Sequence, residues 1–123
     1  MDKEEIKRAA IVIGESDQRV SEVILFGSYA RGQQKESSDI DLVLVVKRDR
    51  RSGDGQTEVE ILAEVNLEGA GFRTQGKRGA IHAFAVLERD IELARRGEYG
   101  EGLLHNIVRE GQVIWDKDSS KKP

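Results

Sequence analysis

Apolar residues fall first at helical spacing and then in short runs. Ile6, Ala9, Ala10 and Ile13 share one face of a 3.6-residue repeat with acidic residues in the first turn, so residues 2–13 are expected as a helix that Gly14 ends. The run Val23-Ile24-Leu25-Phe26 reads as a buried strand ending at Gly27. A second strand is expected at 39–46. A third is expected at 80–87, where Ile81, Ala83, Ala85 and Leu87 alternate with His82, Phe84 and Val86, leaving both faces apolar except at His82. Between these strands, Val59, Ile61, Leu62 and Val65 fit a helix over 57–67, with Thr57 as N-cap and Glu60 as its capping-box partner. A short helix over 88–96, a Gly-rich connection, a last helix over 103–110 stopped by Gly111, and an edge strand at 113–115 complete the chain. Strands alternating with helices predict an α/β (α+β) domain over residues 1–116, a small central mixed sheet flanked by helices. Residues 117–123 are expected as a flexible tail.

The candidate chemistry lies where the first strand ends. Gly27-Ser28-Tyr29-Ala30-Arg31-Gly32 is a Gly-Ser turn able to present backbone N–H groups and the Ser28 hydroxyl to an anion, and residues 29–31 are expected to open a short helix closed by Gly32. Ser38-Asp39-Ile40-Asp41-Leu42 then places two carboxylates one residue apart. On a strand they project to the same side, where they can hold a divalent cation. Aspartate is disfavoured within strands, so Asp41 among Ile40, Leu42, Val43 and Leu44 carries a conformational cost that structure alone does not explain.

The pattern Gly-Ser, ten residues, Asp-x-Asp resembles the signature of the DNA polymerase beta-like nucleotidyltransferases, and more closely that of the minimal nucleotidyltransferases, short proteins with GS(Y/R)ARG and SDIDL motifs. The tail Leu104-His105-Asn106-Ile107-Val108-Arg109-Glu110-Gly111-Gln112-Val113-Ile114-Trp115 also looks like the family's closing helix and strand. The resemblance implies the nucleotidyltransferase fold and Mg2+-dependent transfer of a nucleoside monophosphate, AMP from ATP or another NTP, to a hydroxyl acceptor. It gives Asp39 and Asp41 as metal ligands, Gly27 and Ser28 as holders of the β and γ phosphates, and Arg31 either as a phosphate ligand or as a tie to nearby acids. It also implies a small all-helical HEPN-type partner that the chain would accompany as an antitoxin, with a homo-oligomer left open. Aminoglycoside adenylyltransferases share the motif but usually carry a further helical domain.

One position departs from the family pattern. Active members carry a third acidic residue on the next strand, and His82 stands at the matching place, in Ala80-Ile81-His82-Ala83-Phe84. Imidazole suits magnesium poorly. His82 is therefore either a general base in an altered catalytic set with Asp39 and Asp41, or the mark of a weakened site in a nucleotide- or partner-binding subunit of the same fold. Glu60 or Glu64 would substitute for the missing carboxylate if their helix lay over the site. His105 reads as part of a helix surface rather than as a ligand.

Composition narrows the setting. The chain lacks cysteine, which excludes disulfides, thiolate metal sites and cysteine nucleophiles. No apolar run approaches the roughly 20 residues of a membrane span, the first residues lack a signal-peptide pattern, and mean hydropathy is −0.54. A cytoplasmic location is expected. A net charge of −3 argues against sequence-independent binding to long nucleic acid, whose usual footprint is basic. Lys47, Arg48, Arg50 and Arg51 in the polar stretch 47–55 read as a solvated, mobile connection in preference to a contact with nucleotide phosphates or a partner.

Overall fold

The computed structural model describes residues 1–35, 38–53, 55–74 and 79–120. Four strands, β1 (Val20–Phe26), β2 (Ile40–Val46), β3 (Ile81–Leu87) and β4 (Gln112–Asp116), form one mixed sheet in the order β3-β2-β1-β4. β1 runs antiparallel to β2 and β4, and β2 runs parallel to β3. Helices α1 (Lys3–Ser16), α2 (Glu58–Gly69), α3 (Glu88–Arg95), α4 (Leu103–Glu110) and the short α5 (Lys117–Ser120) complete the element order. This is the expected mixed α/β architecture. The expected tail thus begins with a helical turn, and 121–123 lie outside the described residues.

Strand alternation sorts the core into two layers. Val23, Leu25, Ile40, Leu42, Leu44 and Val46 pack with Ile6, Ala10, Ile13, Val59, Ala63 and Leu67 of α1 and α2. Ile24, Val43 and Val45 pack with Ile91 of α3 and Ile107 of α4 on the opposite face. Counting by two from Val43 and Val45 assigns Asp41 to the α3/α4 face, and counting from Phe84 and Val86 assigns His82 to it as well. Among the described residues, no helix is long and apolar enough to cross a membrane.

Local signals set most boundaries. Asp2 caps α1 by accepting the Glu5 N–H at 2.8 Å. Thr57 and Glu60 form the expected capping box of α2. Two expected helix boundaries fail. Gly14 does not end α1, which continues to Ser16, and its bare Cα lies against the Trp115 indole. Residues 29–31 do not form a helix. Arg31 N–H reaches Gly27 O at 3.2 Å, Gly32 N–H reaches Tyr29 O at 3.3 Å, and Gln33 N–H reaches Ser28 O at 2.9 Å, which makes a folded turn instead.

The Gly14 contact has a measurable consequence. Alanine in a helix interior gains about 1 kcal/mol over glycine, but here its Cβ would overlap the indole ring, and overpacking typically costs about 1–3 kcal/mol. Overlap wins because the obstacle is a ring packed on the core rather than the free end of a flexible chain. Gly14→Ala is expected to lower unfolding stability by about 1 kcal/mol in urea titration; a gain would show that the indole moves aside.

The stretch 47–55 is tied at both ends rather than loose. The Asp49 carboxylate accepts the Val59 N–H at 3.2 Å, Glu58 N–H reaches Arg50 O at 2.8 Å, and Arg51 Nη1 donates to Gly55 O at 3.0 Å. Arg19 fixes the same corner through Asp17 at 2.9 Å and Glu58 at 3.0 Å. Asp54, within this stretch, lies outside the described residues.

Candidate active site

β1 must turn sharply at its end to let the chain return as β2, and Gly27 makes that turn with φ +78. A second constraint acts there. A Cβ on Gly27 would lie 2.5 Å from Asp41 Oδ2, so the Asp41 carboxylate sits directly on the Gly27 backbone. Register explains the approach, since Asp41 faces Phe26 across the β1–β2 ladder, one residue before the turn. The Gly-Ser turn and the aspartate motif thus meet in space.

Across the parallel β2–β3 ladder Asp41 faces His82. The His82 Nε2 lies 3.1 Å from Asp39 Oδ2, with both side chains about half exposed. Ile40 N–H, between the two aspartates, donates to Ala80 O at 2.9 Å and holds the start of β2 against the start of β3. Before Asp39, Lys35 N–H donates to Ser38 Oγ at 2.7 Å, and Ser38 N–H donates to Lys35 O at 2.9 Å. Residues 36 and 37 lie outside the described residues.

Burial pushes the Asp41 carboxyl above its ordinary range. The Asp39 carboxylate adds to that rise, while positive charge at His82 and Arg31 opposes it. Arg31 is tied to Glu110 of α4 at 3.5 Å and donates to Gln33 at 3.2 Å, yet its field reaches Asp41. Of the two readings of Arg31, the tie to a nearby acid is the one present in this geometry. Gln112, at the start of β4, donates to Ala30 O at 2.9 Å and braces the same turn. Glu110 and Gln112 are supports that the sequence reading missed, and no local pattern signals a pairing 82 positions apart.

Glu60 and Glu64 do not replace the missing carboxylate. Glu60 is consumed by the capping box and by the Ala85 N–H, which it accepts at 2.8 Å along the β3 edge. Glu64 accepts from Gln56 at 3.2 Å and lines a depression with Thr74 and His82. Among the described residues no three His, Cys, Asp or Glu side chains converge to hold a metal ion by themselves. Asp39 and Asp41 supply the hard oxygens that fit one divalent cation. The third place holds an imidazole already bonded to Asp39, which does not fit a second magnesium. His105 Nδ1–H donates to Tyr99 O, 3.0 Å away, and anchors the connection before α4.

The model of the polymerase beta nucleotidyltransferases matches residues 8–120, and the chain belongs to that family. A Methanocaldococcus jannaschii protein that carries the name protein adenylyltransferase is 38% identical over 50 residues, 41% of this chain and 50% of the relative. A second from the same organism is 58% identical over 26 residues, 21% of this chain and 30% of the relative. The chain thus spans half or less of the length of the curated relatives it matches. Among solved structures, a toxin-antitoxin with AMP-PNP superposes with TM-score 0.52 at 17% identity, over 93% of this chain and 76% of that one. A nucleotidyltransferase from Sulfolobus solfataricus gives 0.54 at 16%, over 94% and 80%. A mutant of the toxin-antitoxin MntA-HpeT gives 0.54 at 14%, over 98% and 77%. At these identities the solved structures share the fold.

Proposed function

We propose that this chain transfers AMP from ATP to a hydroxyl on a HEPN-type partner protein in the cytoplasm and acts as the antitoxin of that pair. The observation that carries the proposal is the seating of Asp41 on Gly27, which joins the carboxylates to the phosphate-binding turn. The names of the curated relatives support adenylyl transfer to a protein, and the toxin-antitoxin neighbours suggest a partner protein. In this reading Gly27 and Ser28 hold the β and γ phosphates, and Arg31 leaves Glu110 to reach the triphosphate. Asp39 and Asp41 would hold magnesium, which when bound screens the triphosphate charge.

The acceptor oxygen bonds to the α phosphorus as the bridging phosphorus–oxygen bond breaks and pyrophosphate departs. The hydroxyl proton passes to a base; because Nε2 of a neutral His82 carries the proton it donates to Asp39, the imidazole takes that role through the lone pair left on Nδ1. A second reading is favoured by that same bond: with an imidazole on Asp39 the site binds nucleotide and transfers slowly or not at all. Incubating the chain with ATP, magnesium and a HEPN-type toxin, then weighing the toxin intact, separates the two. An added AMP on the toxin supports transfer. Bound ATP without modification supports the binding subunit, and no binding of ATP rejects both.

A further inference from the structure

On α1, Lys7, Ile11 and Glu15 stand on successive turns and form one wall of a groove of about 570 Å3. The other wall is β4, from Val113 to Asp116. β4 is a sheet edge, paired with β1 on one side only. Ile11 is 45% exposed, so a large apolar side chain stands open to the surface on the α1 wall. The catalytic turn and carboxylates do not line it.

We infer that this groove is the interface of a symmetric dimer of the chain, closed by α1 and β4 of a second copy. The charge pattern selects the occupant. Lys7 lies four residues before Ile11 and Glu15 four residues after it, so cation, apolar centre and anion are evenly spaced along the helix. A two-fold axis passing by Ile11 lays the two α1 helices antiparallel. Lys7 then meets Glu15 of the partner subunit, Glu15 meets the partner's Lys7, and Ile11 meets its own copy. Such self-complementarity is what an isologous interface requires.

β4 fixes how the copies touch. Val23 and Ile24 of β1 face Trp115 and Val113, which leaves Ile114 as an extra, bulged residue. Ile114 and Trp115 both pack on the α1 side of the sheet, and a bulged edge is a poor template for a continued ladder. The contact is therefore between side chains of α1 and β4 and not an extended sheet. Catalytic turnover is independent of it, because none of its residues belongs to the turn or the carboxylate set.

Sedimentation of the isolated full chain over a concentration series tests the assignment. The native chain is expected to show a reversible monomer–dimer equilibrium. Ile11→Glu is expected to raise the dimer dissociation constant by at least about tenfold, as for an anchor at the centre of an interface. Lys7→Glu sets like charges opposite each other at two symmetric places and weakens the dimer, whereas Lys7→Glu combined with Glu15→Lys restores it. All three positions face solvent in the single chain, and circular dichroism verifies that each variant stays folded. A native chain that stays monomeric throughout, a dimer indifferent to Ile11→Glu, or a double swap as weak as the single change each overturns the assignment. A groove covered only when a helical partner is added falls under the first of these outcomes.

Discussion

Asp41→Asn is expected to cut AMP transfer by at least about a hundredfold, the scale on which one charge-stabilising group matters in such a site. The same variant is expected to melt no lower than the native chain. The sign follows from burial. The Asp41 carboxyl is held above its ordinary range, chiefly because it is desolvated and further because Asp39 is beside it. The native state then binds the proton more tightly than the unfolded chain does. Carrying the ionised group costs the native state stability at neutral pH, and that cost disappears as pH falls through the raised value. Asparagine has the same shape without the charge. Its melting advantage is therefore expected at neutral pH and should shrink on acidification, as thermal unfolding at several pH values will show. A variant that melts well below the native chain at neutral pH would make the carboxylate structural. Gly27→Ala provides the contrast, since it places a side chain at φ +78 and against Asp41 Oδ2. It is expected to lose about 1–2 kcal/mol of stability together with activity.

The contrast between these two positions shows what local sequence can carry. Asp41 and Gly27 were legible because each breaks a local rule: an acid inside an apolar strand, and a glycine at the end of one. The capping box at Thr57 and Glu60 was legible for the same reason, being a pattern complete within four residues. Gly14 misled because its meaning is tertiary. Read alone it stops a helix, but the Trp115 ring resting on it keeps it inside α1. The turn at 27–32 misled because a glycine followed by three helix-compatible residues also suits tight turns, and bracing by Glu110 and Gln112 holds this one. Glu60 looked available as a metal ligand until its second carboxylate oxygen proved to be tied to the β3 edge. β1 begins at Val20, three residues before the apolar run. Ser21 bonds to Val45 O and Glu22 pairs with Arg95, and neither link is visible without the fold.

His82→Asp decides whether the imidazole weakens the site or works in it. Aspartate would place a third carboxylate across the ladder from Asp41 and near Asp39, on the same side of the sheet. Two effects compete in the variant. Without a cation, the new charge repels its neighbours and removes a positive influence that holds the Asp41 carboxyl down, so ionising Asp41 becomes harder and the native state less stable. With magnesium and ATP present, the completed acidic set supplies only hard oxygen ligands, and the repulsion becomes attraction. The variant is therefore expected to melt lower than the native chain in chelator, and to gain more melting temperature on adding magnesium. Transfer should rise by about tenfold, equivalent to about 1.4 kcal/mol of barrier. Melting and turnover fail separately. If magnesium does not raise the variant's melting temperature more than the native chain's, the three positions do not form one metal site. If it does, but robust transfer by the native chain disappears in the variant, then His82 is the base that takes the acceptor proton, and the departure from the family pattern is a catalytic adaptation rather than a loss.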